Sequence, residues 1–173
     1  MHTRDEHLSE HLTIREVFKY SVDITDEQFF LARALATNVF EPIRHLIGLP
    51  IRVTDGERDQ SRHDSLYQRG YHPSKTTDHS FGNPLNPYGV GAIDLLPVDG
   101  EGGDQAVRPV TENEYGALVE FFKREPDDVL GQLIWYPVRG HIHVSNPKSL
   151  LYSAAAIERI PIRVKRRFFV YPE

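Results

Sequence analysis

Two stretches of this 173-residue chain open with the same four-residue device, and its placement fixes where helices begin. Thr25-Asp26-Glu27-Gln28 and Thr111-Glu112-Asn113-Glu114 both have the Ser/Thr-x-x-Glu/Gln form, in which the first and fourth residues satisfy each other's backbone N–H groups. The first predicts a helix from about Asp26 to Ile47, burying Phe29, Ala32, Leu35, Val39, Phe40, Ile43 and Leu46. Pro42 falls inside that span, so the helix has to kink there or be two helices, and Gly48 is a natural stop. The second predicts a helix with Tyr115, Leu118, Val119 and Phe122 on one face.

Strand signals lie between and after these helices. PIRVTDG alternates apolar and polar residues from Pro50, and GVGAIDLLPV from Gly89 is a short apolar run carrying one acid, Asp94. QLIWYPV and HIHVS read as two strands joined by a tight Arg139-Gly140 turn. Ahead of them all, LSEHLTIREVFKY reads as a loop entering a brief helix, with Leu12, Ile14, Val17 and Phe18 apolar. The fold class expected is α+β, with N-terminal helices packed on a small, mainly antiparallel sheet. Residues 57 to 86 are polar and rich in His, Gly, Pro and Tyr. They read as one long irregular stretch, which in a domain of this size is the first place to look for function.

Composition narrows the chemistry. With no cysteine, disulfides, thiolate zinc sites, iron–sulfur clusters and cysteine nucleophiles are all excluded. No apolar run approaches membrane-spanning length, and MHTRDEHLSEH lacks a basic start followed by an apolar stretch, so neither a membrane span nor a signal peptide is expected. Residues 159 to 173 carry five basic side chains and one acid, which leaves −9 on residues 1 to 158 for an overall −5. A body this acidic is not expected to grip nucleic acid. The basic tail, alternating and ending in aromatics, reads as a terminal strand or a docking arm beyond a domain of residues 1–158. There is no Gly-x-Ser-x-Gly elbow, phosphate-binding glycine loop or His-Glu-x-x-His helix.

Among nine histidines, two stand out. In Gly-His-Ile-His-Val-Ser at 140 to 145, strand geometry projects His141 and His143 to the same side, where two imidazoles can share a metal or simply decorate a surface. Asp94 sits in an apolar strand, where an ionised carboxylate calls for a cation or several donors, unless it caps a turn or lies at a wet edge. His2, His7, His11, His45, His63 and His72 read as surface or loop residues.

Four segments in order resemble the zinc D-Ala-D-Ala peptidases of the LAS metallopeptidase group, in the short form found in phage endolysins and bacterial cell-wall peptidases. They are LSEHLTIREVF, NVFEPIRHLIGLPIRVTDGERD, SKTTDHSFG followed by GAID, and QLIWYPVRGHIHVS, covering about Leu8 to Ser145. The resemblance implies a LAS/hedgehog-type fold with His79, Asp94 and His143 as zinc ligands. It also implies that Arg58 holds a substrate carboxylate, which suits a guanidinium that can make two parallel hydrogen bonds. Two imidazoles and a carboxylate form an open, catalytic type of zinc site.

Three departures accompany the match. Tyr136 stands where the family has its catalytic glutamate, and a phenol is a poor base at neutral pH although it can donate to an oxyanion. Fourteen residues separate His79 from Asp94, where the family usually has six. His141 replaces the family's tryptophan, and an imidazole there can serve as the base instead. Two readings follow. One is a murein zinc peptidase-like protein, weakly active or non-catalytic, that binds stem peptide or serves among virion proteins. The other is an active D-Ala-D-Ala-type carboxypeptidase or endolysin using His141. A phage origin would place it in the host cytoplasm during synthesis, then in the virion or released at lysis. Asp55 and Glu57 are weaker candidates for the base.

Overall fold

A computed structural model describes residues 2–19, 21, 23–58, 60–70, 79–82, 89–99, 106–159 and 167–171. Ser74 to Asp78 of the first metal-motif segment, residues 83–88 of the 80–91 loop, the 100–105 turn and most of the basic tail lie outside the described residues, as do the side chain of His63 and the whole of His72.

Both capping boxes form. Gln28 N–H donates to the Thr25 hydroxyl at 3.1 Å and the Gln28 side chain accepts from Thr25 N–H at 3.0 Å. The same exchange between Thr111 and Glu114 opens α5 (Glu112–Phe122). A cap of this kind is worth about 1 kcal/mol. At the start of the short α1 (Ile14–Val17), the Thr13 N–H and hydroxyl both donate to the Glu16 carboxylate at 2.8 Å.

The helix containing Pro42 is interrupted ahead of the proline, giving two α-helices joined by a wider turn. It runs as α2 (Asp26–Leu35), a π-turn over Ala36–Phe40 and α3 (Glu41–Ile47), then stops at Gly48 with φ 71°. Proline has no N–H to give, and the wider turn before it, closed by Glu41 N–H on the Ala36 carbonyl, makes room for its ring near the start of α3. The π-turn also adds a residue, which rotates everything after it. Ala32, Leu35, Val39, Phe40 and Ile43 are buried as expected, but Leu46 is 42% exposed, and Ile47 packs against the core in its place.

The strands are β1 (Ile51–Asp55), β2 (Ala92–Asp99), β3 (Ala106–Val107), β4 (Gln132–Trp135), β5 (Ile142–Ser145) and β6 (Phe168–Val170). They form a mixed sheet of order β1-β2-β5-β4-β6, with β3 on β2; β4 and β6 are parallel and the other pairs antiparallel. The molecule is therefore α+β, with β6 of the C-terminal segment joined to the sheet at its edge. Two small helices complete it, α4 (Gln60–Gln68) and α6 (Ala154–Glu158). α4 corrects the expectation of an irregular 57–86 stretch: QSRHDSLYQ has no apolar stripe to announce it.

Alternation divides the sheet. Ile93, Leu95, Ile142, Val144 and Leu133 are fully buried in one cluster with Val39, Phe40, Leu118 and Phe122 from the helices. Trp135 turns the same way and stacks on Tyr115 of α5. The residues between them point to the opposite face. Register there aligns Asp55, Asp94, His143, Ile134 and Phe169 in one row across five strands. No helix among the described residues is long and apolar enough to cross a membrane.

Candidate metal site and its surroundings

The row that crosses the open face brings Asp94 and His143 opposite each other by strand pairing alone. His143 Nδ1 lies 3.0 Å from Asp94 Oδ1. His79 arrives from a loop: its Nε2 is 3.2 Å from His143 Nδ1 and 3.4 Å from Asp94 Oδ1. The three residues each bring one donor atom into a group whose members lie within 4.8 Å of one another, and together they are able to hold a metal ion. All three are nearly closed to solvent, at 2%, 9% and 8% exposure for His79, Asp94 and His143.

The tautomer of His79 is set by Gly56. Its Nδ1 lies 2.7 Å from the Gly56 carbonyl, which can only accept, so Nδ1 carries the proton and a neutral ring presents its lone pair at Nε2. Only glycine fits at 56, because a Cβ there would come within 2.1 Å of the Val17 carbonyl oxygen. The close approach is fixed by the adjacent Glu57 N–H, which donates to that same oxygen at 2.8 Å. Arg58 N–H then donates to the His79 carbonyl at 3.0 Å, tying the two loops together.

The arrangement suits a cation. With His79 protonated at Nδ1, the atoms that meet are a ring nitrogen lone pair, a carboxylate oxygen and His143 Nδ1, so neutral imidazoles bring at most one proton among three acceptors. A divalent ion satisfies all three, and the set of two imidazoles and one carboxylate matches zinc's preferred ligands. Burial alone pushes the Asp94 carboxyl up, but its interactions with the His79 and His143 rings outweigh it and hold Asp94 well below the usual carboxylate range. The site therefore keeps an anion in place.

β1 carries a bulge beside this group. Pairing shifts between Val53 and Asp55, so that Asp55 faces Asp94. Two acids placed opposite each other repel, and Arg58 answers both: its Nε donates to Asp55 Oδ2 at 2.7 Å and its Nη2 lies 3.5 Å from Asp94 Oδ2. Arg58 thus stands next to the triad, as the resemblance implies for a substrate anchor, but with part of its fork already used by Asp55. Asp55 also lies 3.8 Å from Arg62 of α4. Glu57 is buried and accepts from the Ser21 hydroxyl at 2.7 Å. Neither carboxylate is offered freely as a base.

His141 and Tyr136 complete the surroundings. His141 Nε2 is 3.9 Å from Asp94 Oδ2, and the ring stacks on Tyr136 at 4.5 Å with 13° between planes. Burial, together with the nearby imidazoles and Arg139, lowers the His141 pKa despite the opposing pull of Asp94. Tyr136 is pushed up to about 12 by burial and by the Asp94 charge. Its phenol stays protonated across the physiological range and can donate a hydrogen bond.

The five residues His79, Asp94, His143, Arg58 and His141 are thus brought together, with Tyr136 against His141. Gly56 and the bulge in β1 were not singled out from the sequence. The glycine in Val-Thr-Asp-Gly-Glu was their one visible signal. Comparison with protein-family models, curated proteins and solved structures finds no match for this chain.

Proposed function

We propose that this protein is a zinc-holding, murein peptidase-like protein of the LAS type, weakly active or non-catalytic, that binds cell-wall stem peptide. The convergence of His79 Nε2, Asp94 Oδ1 and His143 Nδ1, with the other nitrogen of His79 committed to Gly56, is the observation that carries this reading. Zinc, when bound, polarises a carbonyl and acidifies water. Arg58 supplies a cation beside the group for a peptide carboxylate. Tyr136, protonated and pushed up to about 12, is suited to donating a hydrogen bond and not to taking a proton. Service among virion proteins is the structural form of the same reading.

A second reading has its own observation. His141 is held neutral by burial and lies 3.9 Å from Asp94, so an acceptor nitrogen stands beside the triad without a glutamate. In that reading the protein is an active D-Ala-D-Ala-type carboxypeptidase or endolysin with His141 as base.

Hydrolysis of a D-Ala-D-Ala-type peptide by zinc-loaded protein tests both. The first reading expects slow or absent turnover that rises at least tenfold in Tyr136→Glu. Brisk turnover by the natural chain, lost in His141→Gln with zinc retained, selects the second. Protein that stays free of zinc when zinc is supplied removes both.

A further inference from the structure

The rings beside the triad do not end at Tyr136. They continue onto the C-terminal strand, where β6 pairs in register with β4 and Tyr171 N–H donates to the Trp135 carbonyl at 2.8 Å. Because side chains alternate, Phe169 and Tyr171 belong to the same sheet face as Asp94, His143 and His141. Tyr171 stacks on Tyr136 at 5.0 Å with 24° between planes, and Phe169 meets Tyr171 edge-on at 6.2 Å. The row His141, Tyr136, Tyr171 therefore lies next to the row Asp94, His143, Ile134, Phe169.

The strand is firmly placed. The Tyr115 hydroxyl donates to the Phe169 carbonyl at 3.1 Å from behind the sheet, and Arg167 Nη1 pairs with Asp127 at 2.7 Å. Tyr171 nonetheless leaves 48% of its surface in solvent. An exposed aromatic ring in line with a buried polar centre is a place where a ligand gains contact area at little cost in side-chain entropy.

Length decides what kind of ligand reaches it. A ligand whose end group lies at the triad must first pass His141, 3.9 Å from Asp94, and then cross ring spacings of 4.5 and 5.0 Å to meet Tyr171. An extended tripeptide spans at most about 11 Å and a tetrapeptide about 14 Å. The path is about 13 Å, so a tripeptide anchored at the triad stops short of the ring, and a fourth residue reaches it.

We propose that Tyr171 is a specificity-determining residue of this site, and that the ligand it favours is an extended peptide of four or more residues. This rests on the peptide-binding reading above. The C-terminal strand is then the outer edge of the site, and a chain lacking it would keep the triad but lose discrimination by length.

The test is calorimetric binding to the zinc-loaded full chain of three probes: D-Ala-D-Ala, L-Lys-D-Ala-D-Ala and D-γ-Glu-L-Lys-D-Ala-D-Ala. Tyr171→Ala is expected to weaken the four-residue peptide about tenfold, leave the two shorter probes within about twofold and leave zinc content unchanged, while Tyr171→Phe behaves as the natural chain. If Tyr171→Ala loses zinc, Tyr171→Leu, which keeps an apolar side chain at the strand end, is judged by the same criterion. Equal loss for all three probes, or no loss for any, overturns the assignment of Tyr171 while leaving the peptide-binding reading intact. Zinc-loaded natural protein that binds none of the probes overturns that reading and this assignment together.

Discussion

The Arg108, Glu114 and Thr111 cluster at the start of α5 and the His79, Asp94 and His143 group on the open face of the sheet are both built from ionisable and polar side chains, yet they balance their hydrogen bonds differently. In the first, donors meet acceptors: Arg108 Nη1 reaches Glu114 Oε2 at 2.9 Å, the same oxygen accepts from Thr111 N–H at 2.8 Å, and Glu114 N–H returns a bond to the Thr111 hydroxyl at 3.2 Å. In the second, two ring nitrogens and a carboxylate oxygen converge within 3.0 to 3.4 Å while His79's proton is turned away to Gly56. A closed cluster stabilises a helix start. One that gathers acceptors in a nearly buried place calls for a positive charge from outside the chain.

The widest separation between the two regions is in metal content. His143→Ala is expected to reduce zinc from about one per chain to near zero after dialysis, because it removes one of the three proposed ligands, whereas Glu114→Gln leaves zinc unchanged. Elemental analysis of the two purified variants makes the comparison. Zinc retained by His143→Ala would mean that the convergence on the sheet face is as self-contained as the cap of α5.

Stability gives the next separation. Zinc at about a thousand times its dissociation constant adds about 4 kcal/mol to the folded state. A chelator is therefore expected to lower the melting temperature of the natural chain by several degrees and to leave that of His143→Ala where it was. A shift of the same size in both proteins would show that the chelator acts elsewhere.

These regions also differed in how far the sequence revealed them. The α5 cluster is local, with Thr111 and Glu114 three residues apart, and the capping-box pattern announced it as it announced α2. Strand alternation put His141 and His143 on one side, but the pairing of Asp94 with His143 depends on a strand register that alternation does not give. Nor could alternation supply His79, whose place depends on Gly56 and Arg58 closing one loop on another. The grouping of His79 with Asp94 and His143 came from the resemblance. Leu46 failed for a different reason: a helical period assumes uniform turns, and the π-turn over Ala36–Phe40 shifted the phase by a residue. β6 was foreseen as a terminal strand or an arm, but a parallel partner distant in sequence cannot be read from local pattern.

The smallest separation is in acid, and its sign follows from the shifts. The hydrogen bond from Arg108 to Glu114, helped by the Thr111 bonds and partly opposed by burial, lowers the Glu114 pKa from 4.5 to about 2. A carboxylate whose folded pKa is depressed contributes stability in full above its unfolded value of 4.5 and loses it as pH falls toward about 2. The pair is partly open, with 26% and 21% of its side-chain surface exposed, so solvent screening trims the contribution to about 1–2 kcal/mol. Glu114→Gln is therefore expected to cost about 1–2 kcal/mol in chemical denaturation near neutral pH, with more than half of that difference gone by about pH 3. High salt narrows the same gap, because both partners face water. A difference that holds constant from neutral pH to about pH 3 would assign the effect of Glu114 to its uncharged hydrogen bonds at the helix start, leaving its charge no part in the cluster.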